Sequence, residues 1–191
     1  VPDLDDVELH RLLDLAEVQI RRLLATQGYF APQMDLVLRT SHLPANSTSG
    51  TALPEVVITI APGERTHIGQ LDLQVQGAAQ NYAPARSQLE RARLSWPLLV
   101  GAAFTQAAWT QAKVQMLQSL QAERFAAAKL VSSKASVDPD ASSAHLQLLY
   151  DSGPVYRYGE VKVQGAKRYD AVIAQRFARL PIGAEYSQSE L

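Results

Sequence analysis

The residues best able to do chemistry in this sequence are its histidines, and their spacing favours neither catalysis nor metal binding. They are His10, His42, His67 and His145. No two of them lie at the short spacing that zinc sites use. The chain has no cysteine, which excludes disulfides, thiolate nucleophiles and Cys-ligated zinc. Neither a phosphate-binding loop nor a nucleophile elbow occurs. We therefore expect no enzymatic activity, no cofactor and no metal.

Two clusters of charged residues allow a second interpretation. Four acidic side chains at residues 3–8 could form a metal or acid site, but acidic residues at a helix start are more typical of capping. Near the other end, Arg157 and Arg168 lie among tyrosines 156, 158 and 169, a combination also found on nucleic-acid surfaces. A formal net charge of -1 argues against phosphate recognition, so we expect packing and contacts between repeats instead.

The elements that would position these residues must come from a chain of 191 residues, 47% of them apolar. This length fits one large or two small domains with a hydrophobic core. No apolar run approaches the roughly 18 residues needed to span a bilayer. The charge is uneven: residues 1–62 carry 4 basic and 8 acidic groups, a net of -4, whereas residues 154–191 carry 6 and 4, a net of +2.

The first 62 residues have the pattern of a helix followed by a hairpin. Apolar residues recur at helical spacing up to Gly28, and they are Leu9, Leu13, Ala16, Ile20 and Leu23. Residues 34–40 and 55–61 are predicted strands of apolar and β-branched character. The polar stretch at 41–51 has the composition of an exposed loop.

Residues 64–152 predict the order β-α-α-β-β. The alternation in 70–76 indicates a strand with one buried face. Ser87 and Glu90 form a capping-box pair in a short helix around 82–94, and Thr105 can cap the next helix. The core stripe of that second helix is Trp109, Ala112, Met116 and Leu120. Strands are predicted at 128–137 and 144–150, with a turn at 138–140.

The same order then recurs. Ile68-Gly69 corresponds to Tyr158-Gly159 at an offset of 90, and residues 101–106 correspond to residues 183–188 at an offset of 82. The pattern predicts a strand at 156–165 and a helix from Asp170 through Leu180. Repetition of one supersecondary unit is typical of a repeat array.

The repeats divide the chain into one complete and two partial units. The predicted boundaries are 1–62 (second helix and hairpin), 63–153 (complete) and 154–191 (first strand and first helix). Because the partial units stop at different points, we expect the sequence to be a fragment of a longer protein. We also expect that the third unit of one chain could complete the first unit of another, against the alternative that both partial units stay incomplete.

The residues that carry a family resemblance are LLATQGYFAPQMDLVL at 23–38, VVITIAPGERTHIGQLDLQVQGA at 56–78 and DSGPVYRYGEVKVQGA at 151–166. Together with GAEYSQSEL at 183–191 they resemble POTRA repeats of TamA-like outer-membrane assembly factors, within the BamA/TamA superfamily. The resemblance implies an α+β fold of tandem β-α-α-β-β units, each a three-stranded sheet covered by two helices. The sequence departs from the family pattern at Arg124-Phe125, where a glycine is expected before the aromatic residue.

The resemblance also implies a location and partners. It suggests the periplasmic part of a Gram-negative outer-membrane protein that has a C-terminal β-barrel. Expected partners are unfolded or nascent outer-membrane proteins such as autotransporter-like clients, a TamB-like inner-membrane-anchored protein, and the neighbouring POTRA units. No nucleic acid is expected.

In a unit of this type the second strand lies at a sheet edge, which can accept another strand. This predicts residues 34–40 and 128–137 as edges, with alternate side chains giving selectivity. The candidate binding residues are Met34, Leu36, Leu38, Lys129, Val131 and Ser133. The candidate turn and linker glycines are Gly63, Gly69, Gly77, Gly153, Gly159 and Gly165. The alternatives are a passive structural spacer, or a POTRA unit from a two-partner secretion transporter or a division protein.

Overall fold

The helical spacing at the start of the chain produces α1, Asp6–Thr26, and two strands follow it, β1 (Gln33–Thr40) and β2 (Pro54–Ala61). The strands pair antiparallel as the sequence predicts. The structure is a computed structural model and describes residues 6–40, 54–162, 164 and 181–191. The predicted loop at 41–51, Gly165 and the predicted helix at 170–180 lie outside the described residues.

The apolar stripe of α1 is displaced at its end from the predicted one. Leu13, Ala16 and Ile20 are half-buried, but Leu23 is 66% exposed, and Leu24 takes the inward position. The step from Ile20 to Leu24 is one of four residues, which is close to a helical turn of 3.6 residues. α1 therefore packs through residues 13, 16, 20 and 24.

Residues 67–151 form the predicted β-α-α-β-β unit. Its elements are β3 (His67–Gln76), α2 (Arg86–Leu94), α3 (Gln106–Gln121), β4 (Lys129–Asp138) and β5 (Ser143–Asp151). The sheet order is β3-β5-β4, with β3 parallel and β4 antiparallel to β5. The predicted α+β class is confirmed.

The core of this unit lies between the helices and one face of the sheet. The predicted stripe of α3 is buried throughout, and it faces alternate residues of β5 from Ala144 to Tyr150 that are also buried. Trp96 packs edge-on against Trp109, with ring centroids 6.5 Å apart. Thr105 caps α3 as predicted, because its hydroxyl oxygen accepts the N–H of Ala108 at 3.1 Å.

The capping box predicted for α2 is wrong. The helix is entered through a 3₁₀ turn at Ala83–Ala85, so Ala85 occupies the cap and makes no side-chain hydrogen bond. Ser87 and Glu90 already lie inside the helix, where a Ser–Glu pair cannot reach the first free N–H groups.

The strand predicted at 156–165 does not form over its described part. Residues 156–162 contain one isolated bridge, between Arg157 and Glu185. Tyr156 and Tyr158 hydrogen-bond instead to turn residues at 124 and 183–186, which belong to no strand.

Candidate protein-binding edges and joints

The second strand of the complete unit, β4, lies at an edge of the three-stranded sheet. It pairs with β5 on one side, and no described strand pairs with its other side. An open strand edge presents N–H and C=O groups that can accept another strand. β4 is therefore the clearest candidate binding edge in the described part of the chain.

Two hydrogen bonds at the ends of β5 determine which peptide groups of β4 point away from the sheet. The Ser142 carbonyl accepts the His67 N–H at 2.9 Å, and the Ser152 N–H donates to Gln76 at 3.0 Å, so even-numbered residues of β5 point their peptide groups toward β3. Odd-numbered residues then point toward β4, because peptide direction alternates along a strand. The register leaves Ser133 and Ala135 pairing with even-numbered residues of β5, so their N–H groups point to the open edge.

A β-bulge in β4 changes where the predicted residues Lys129, Val131 and Ser133 lie relative to the two faces of the sheet. The register shifts between Leu130 and Ser132, which leaves Val131 as the extra residue, 48% exposed. Lys129 pairs with Asp151 on the outer face of the sheet, whereas Ser133 pairs with the buried Leu148 on the inner face. Alternation is lost at a bulge, so Lys129 and Ser133 do not share a face.

The predicted residues of the first edge, Met34, Leu36 and Leu38, lie on the face of the hairpin that α1 covers. Met34 and Leu36 line a cleft with Leu13 and Glu17 of α1. Any strand added to β1 would therefore meet its backbone rather than these side chains.

The hairpin face itself is less well covered than the sheet of the complete unit. Met34, Leu36 and Leu38 pair with Ile60, Ile58 and Val56 in one apolar layer. Of these six, the three β2 residues and Leu38 are exposed by 38–41%. The corresponding layer of β5 is buried.

Three of the predicted linker glycines follow the ends of strands. Gly63, Gly77 and Gly153 have positive φ, at 76°, 88° and 63°. At Gly77 the positive φ favours glycine, and an added Cβ would also come within 2.6 Å of an Asp151 carboxylate oxygen. Gly69 lies at the bulge of β3, and Gly159 has open space around its Cα.

Two joints, one at each end of the three-stranded sheet, have the same backbone hydrogen bonds. We call the contact of residues 28–30 with 65–68 and 101–104 the first joint, and that of 122–125 with 155–158 and 183–187 the second joint. In the first joint four backbone N–H groups donate to carbonyls at 2.7–2.9 Å: Thr66 to Gly28, Phe104 to Thr66, Ile68 to Ala102 and Gly101 to Ile68. In the second joint the matching N–H groups donate to carbonyls at 2.7–3.0 Å: Tyr156 to Arg124, Tyr186 to Tyr156, Tyr158 to Ala184 and Gly183 to Tyr158.

The first joint is closed mainly by aromatic side chains. Phe30 and Phe104 have ring centroids 6.0 Å apart. Arg65 donates from Nε to the Gln27 carbonyl at 3.0 Å and lies over the ring of Tyr29, 5.9 Å from its centroid.

The second joint keeps an aromatic pair, Tyr158 and Tyr186 at 6.0 Å, and adds a charged network around Glu185. Arg124 Nε lies 2.5 Å from one carboxylate oxygen of Glu185, and the Tyr82 hydroxyl donates to the other. Arg157 lies 3.3 Å from that second oxygen. These contacts tie the loop before residue 187 to the end of α3.

The buried side-chain amide of Gln88 lies beside Arg124 and binds the end of α3. The Gln88 side chain donates to the carbonyls of Ser119, Leu120 and Glu123 at 3.0–3.1 Å, which satisfies the end of α3. Arg124 also pairs with the Glu123 carboxylate at 2.7 Å.

The network shifts the protonation of its members in the directions expected of a bound carboxylate. The pKa of Glu185 lies below its usual value, first because the Tyr82 hydroxyl donates to it and then because Arg124 and Arg157 lie beside it. The pKa of Tyr82 is raised by the same hydrogen bond.

Comparison with known proteins gives similar solved structures but no family. No family model and no curated protein matches the chain. The chain is similar to the crystal structure of Haemophilus influenzae BamA POTRA3-5, with 15% identity and a TM-score of 0.48, over 90% of this chain and 62% of that one. It is also similar to BamA from Haemophilus ducreyi lacking POTRA domains 1-3, with 15% identity and a TM-score of 0.32, over 78% of this chain and 26% of that one. The chain thus spans less than two thirds of each.

The charged network is the feature that sequence reasoning missed. The missing glycine at Arg124 pointed to a disturbed turn, yet Arg124 keeps the turn with a φ of 60°, where Gly28 has 94°. A signal was present in the aligned repeats: Glu185 stands where the complete unit has Ala103, and Arg124 stands where the first partial unit has Gly28.

None of the described helices combines the length and apolarity needed to cross a bilayer. The described residues also contain no group of three or more His, Asp or Glu side chains placed to hold a metal ion.

Proposed function

We propose that this chain is a periplasmic polypeptide-binding and scaffolding segment of an outer-membrane β-barrel assembly and translocation factor, built from POTRA-type repeats of the TamA-like kind. The observation that carries the proposal is the open edge of β4, whose Ser133 and Ala135 N–H groups point outward. Main-chain pairing with an incoming strand gives affinity that depends little on the client's sequence, as a protein that handles many clients requires.

The bulge and two lysines define how such a strand would bind. Val131 interrupts the ladder, so the regular edge runs from Ser132 to Asp138. Lys129 and Lys134 are exposed and discourage pairing between edges of two identical sheets. The edge thus favours a short added strand over aggregation.

The partners follow from the family resemblance. Clients would be unfolded or nascent outer-membrane proteins of the autotransporter type, and the repeats would connect a C-terminal β-barrel to a TamB-like inner-membrane-anchored protein. The boundaries at 62–63 and 153–154 would then be the junctions between neighbouring repeats.

A structural spacer is the second candidate, and the two joints favour it. Each joint fixes its neighbouring segments through four backbone hydrogen bonds and an aromatic pair. Joints of this kind would hold a barrel at a set distance from a partner without any strand binding.

Ser133→Pro separates the two candidates. Proline removes the outward N–H and places its ring against an incoming strand, while Ser133 is exposed and its N–H is not used by β5. For a labelled peptide from an outer-membrane β-strand, we expect fluorescence anisotropy to show Kd raised at least roughly tenfold.

The matched control is Ser133→Ala, which removes the hydroxyl but keeps the N–H, and should bind like the parent chain. Circular dichroism checks that both variants fold. Equal binding by a folded Ser133→Pro variant would reject strand addition at β4 and support the spacer.

A further inference from the structure

Large apolar side chains are exposed where the chain leaves α2 and turns toward α3. Leu94, the last residue of α2, is 86% exposed, and Leu99 and Val100 of the following loop are 61% and 63% exposed. Single exposed apolar residues are ordinary on protein surfaces, but a group of them marks a site of interaction. We call Leu94, Leu99 and Val100 the apolar tip.

The contacts of the loop keep these side chains in solvent. Trp96 and Leu98 of the same loop are buried, and the Trp96 indole N–H donates to the Leu98 carbonyl at 2.9 Å. The Ala102 N–H donates to the Leu99 carbonyl at 2.9 Å, which fixes the turn that carries the tip. Because Trp96 and Leu98 already fill the space under the loop, an inward turn of the tip would displace core residues.

The surroundings of the apolar tip are basic. Residues 91–122 contain two arginines and one lysine and no acidic residue. Arg91 pairs with the Glu123 carboxylate at 3.0 Å, whereas Arg93 is exposed directly before Leu94. α2 as a whole carries three arginines against one glutamate. The charge beside the tip therefore complements an anionic surface.

The same combination recurs in the next unit. Residues 92–94 and 178–180 both read Ala-Arg-Leu, at an offset of 86, and Val100-Gly101 corresponds to Ile182-Gly183 at an offset of 82. Ile182 is 67% exposed, and the two glycines have similar φ angles of 88° and 81°. An exposed apolar residue shortly after an Arg-Leu pair is therefore a feature of both units.

A bilayer fits these features better than a protein partner. The tip residues are 61–86% exposed, so the tip protrudes, whereas a protein-binding groove encloses the side chains it receives. A fluid bilayer accepts a protruding apolar tip without matching its shape, and its anionic headgroups attract arginine. Because its surface is uniform, a bilayer also receives the recurring tips of successive repeats in the same way.

We propose that the apolar tip inserts into the surface of an anionic phospholipid bilayer, with Leu99 and Val100 at the acyl boundary and Arg93 among the headgroups. Arginine suits this place because its apolar stem accompanies the leucines while its guanidinium stays in the polar layer. The tip is a different surface from the β4 edge, and the proposal does not depend on strand addition there.

Flotation of the chain with phospholipid vesicles tests the proposal. Vesicles of equal parts phosphatidylglycerol and phosphatidylcholine should bind the chain at low salt. Vesicles of phosphatidylcholine alone should bind it at least roughly fivefold less well, because they lack the charge that attracts the basic residues.

Two variants separate insertion from charge attraction. Leu99→Ser combined with Val100→Ser should lower the partition coefficient to the anionic vesicles at least roughly tenfold, since two apolar side chains no longer leave water. Arg93→Gln should lower it roughly fivefold at low salt, and this difference should shrink at high salt because ions screen the attraction.

Val18→Ser is the matched control for the tip variants. Val18 is 44% exposed on α1, outside the tip, and valine and serine have similar helix propensities, so this variant should bind like the unaltered chain. Circular dichroism verifies the folding of every variant, and Leu94→Ser replaces the double variant if that one unfolds.

Three results would overturn the proposal. A chain that binds neither kind of vesicle would mean that the tip serves a protein partner instead. Equal partition of the folded tip variant and the unaltered chain would exclude insertion. Binding that is lost only in Arg93→Gln would show attraction by charge without insertion of the tip.

Discussion

The two joints at the ends of the three-stranded sheet share their backbone hydrogen bonds but are closed by different side chains. The first joint relies on glycine, on the Phe30–Phe104 pair and on one half-buried arginine. The second replaces glycine by Arg124 and pairs that residue with two carboxylates, one of which also accepts a hydrogen bond from the Tyr82 hydroxyl. The same turn is thus reached by two different chemical routes.

The difference shows how a repeat can accept a residue that its backbone disfavours. A side chain at positive φ costs about 1–2 kcal/mol relative to glycine. Arg124 offsets this cost through its pairs with Glu123 and Glu185, which a glycine could not make. The second joint therefore depends on charge, whereas the first depends on close backbone packing.

The largest expected effect comes from Gly28→Ala, which disrupts the close backbone packing of the first joint. Gly28 has a φ of 94°, and an added Cβ would collide with the Phe104 carbonyl oxygen, so the joint would have to open. We expect the free energy of unfolding to fall by about 3 kcal/mol, from the strain of positive φ and the collision together. Urea denaturation followed by circular dichroism measures this.

The control for Gly28→Ala is Gly101→Ala. Gly101 also has positive φ, 88°, but an added Cβ there would meet nothing within 4 Å. This variant should lower the free energy of unfolding by only about 1 kcal/mol, because the strain of positive φ is its only cost. Equal losses in the two variants would mean that close packing at the first joint is not what requires glycine.

The sequence was sufficient to predict the elements that repeat a simple period. The stripe from Trp109 to Leu120 is a local pattern, and the structure buries all four of its residues. The alternation predicted for β3 is seen only near its end, where Gln74 is exposed and Val75 is buried. What could not be predicted depends on contacts between distant residues. The bulge at Val131 reverses the face of the residues before it, and the pair of Arg124 with Glu185 joins positions 61 residues apart. No local period encodes either one.

A second, smaller effect is expected from acid at the second joint alone. The pKa of Glu185 is depressed by the Tyr82 hydroxyl and then by Arg124 and Arg157, so its contribution is complete above the ordinary glutamate pKa of 4.5. That contribution is lost as the pH falls through the depressed value in the folded state. Corrected for intrinsic rates, hydrogen exchange at the Tyr156 and Tyr186 amides should therefore accelerate in acid.

Glu185→Gln is the control for this titration, because it removes the titrating group and keeps the shape. The variant should exchange faster than the parent at neutral pH and should show a smaller acid dependence than the parent at these amides. The amides of Thr66 and Phe104 provide an internal reference, since no carboxylate takes part in the contacts of the first joint described above. Acid opening of both joints alike would contradict the assignment to Glu185.

The smallest effect is expected from Arg65→Ala in the first joint. Arg65 is the polar side chain that closes this joint, but it does so through one carbonyl and the face of Tyr29 at a partly exposed site. Loss of the Arg65 side chain should lower the free energy of opening at this joint by about 0.5–1 kcal/mol, measured from hydrogen exchange of the Thr66 amide. Arg124→Ala should accelerate exchange of the matching Tyr156 amide by a larger factor, because it leaves Glu185 with fewer partners and keeps a Cβ at positive φ. If the two arginine variants changed their amides equally, the two joints would not differ in their dependence on charge.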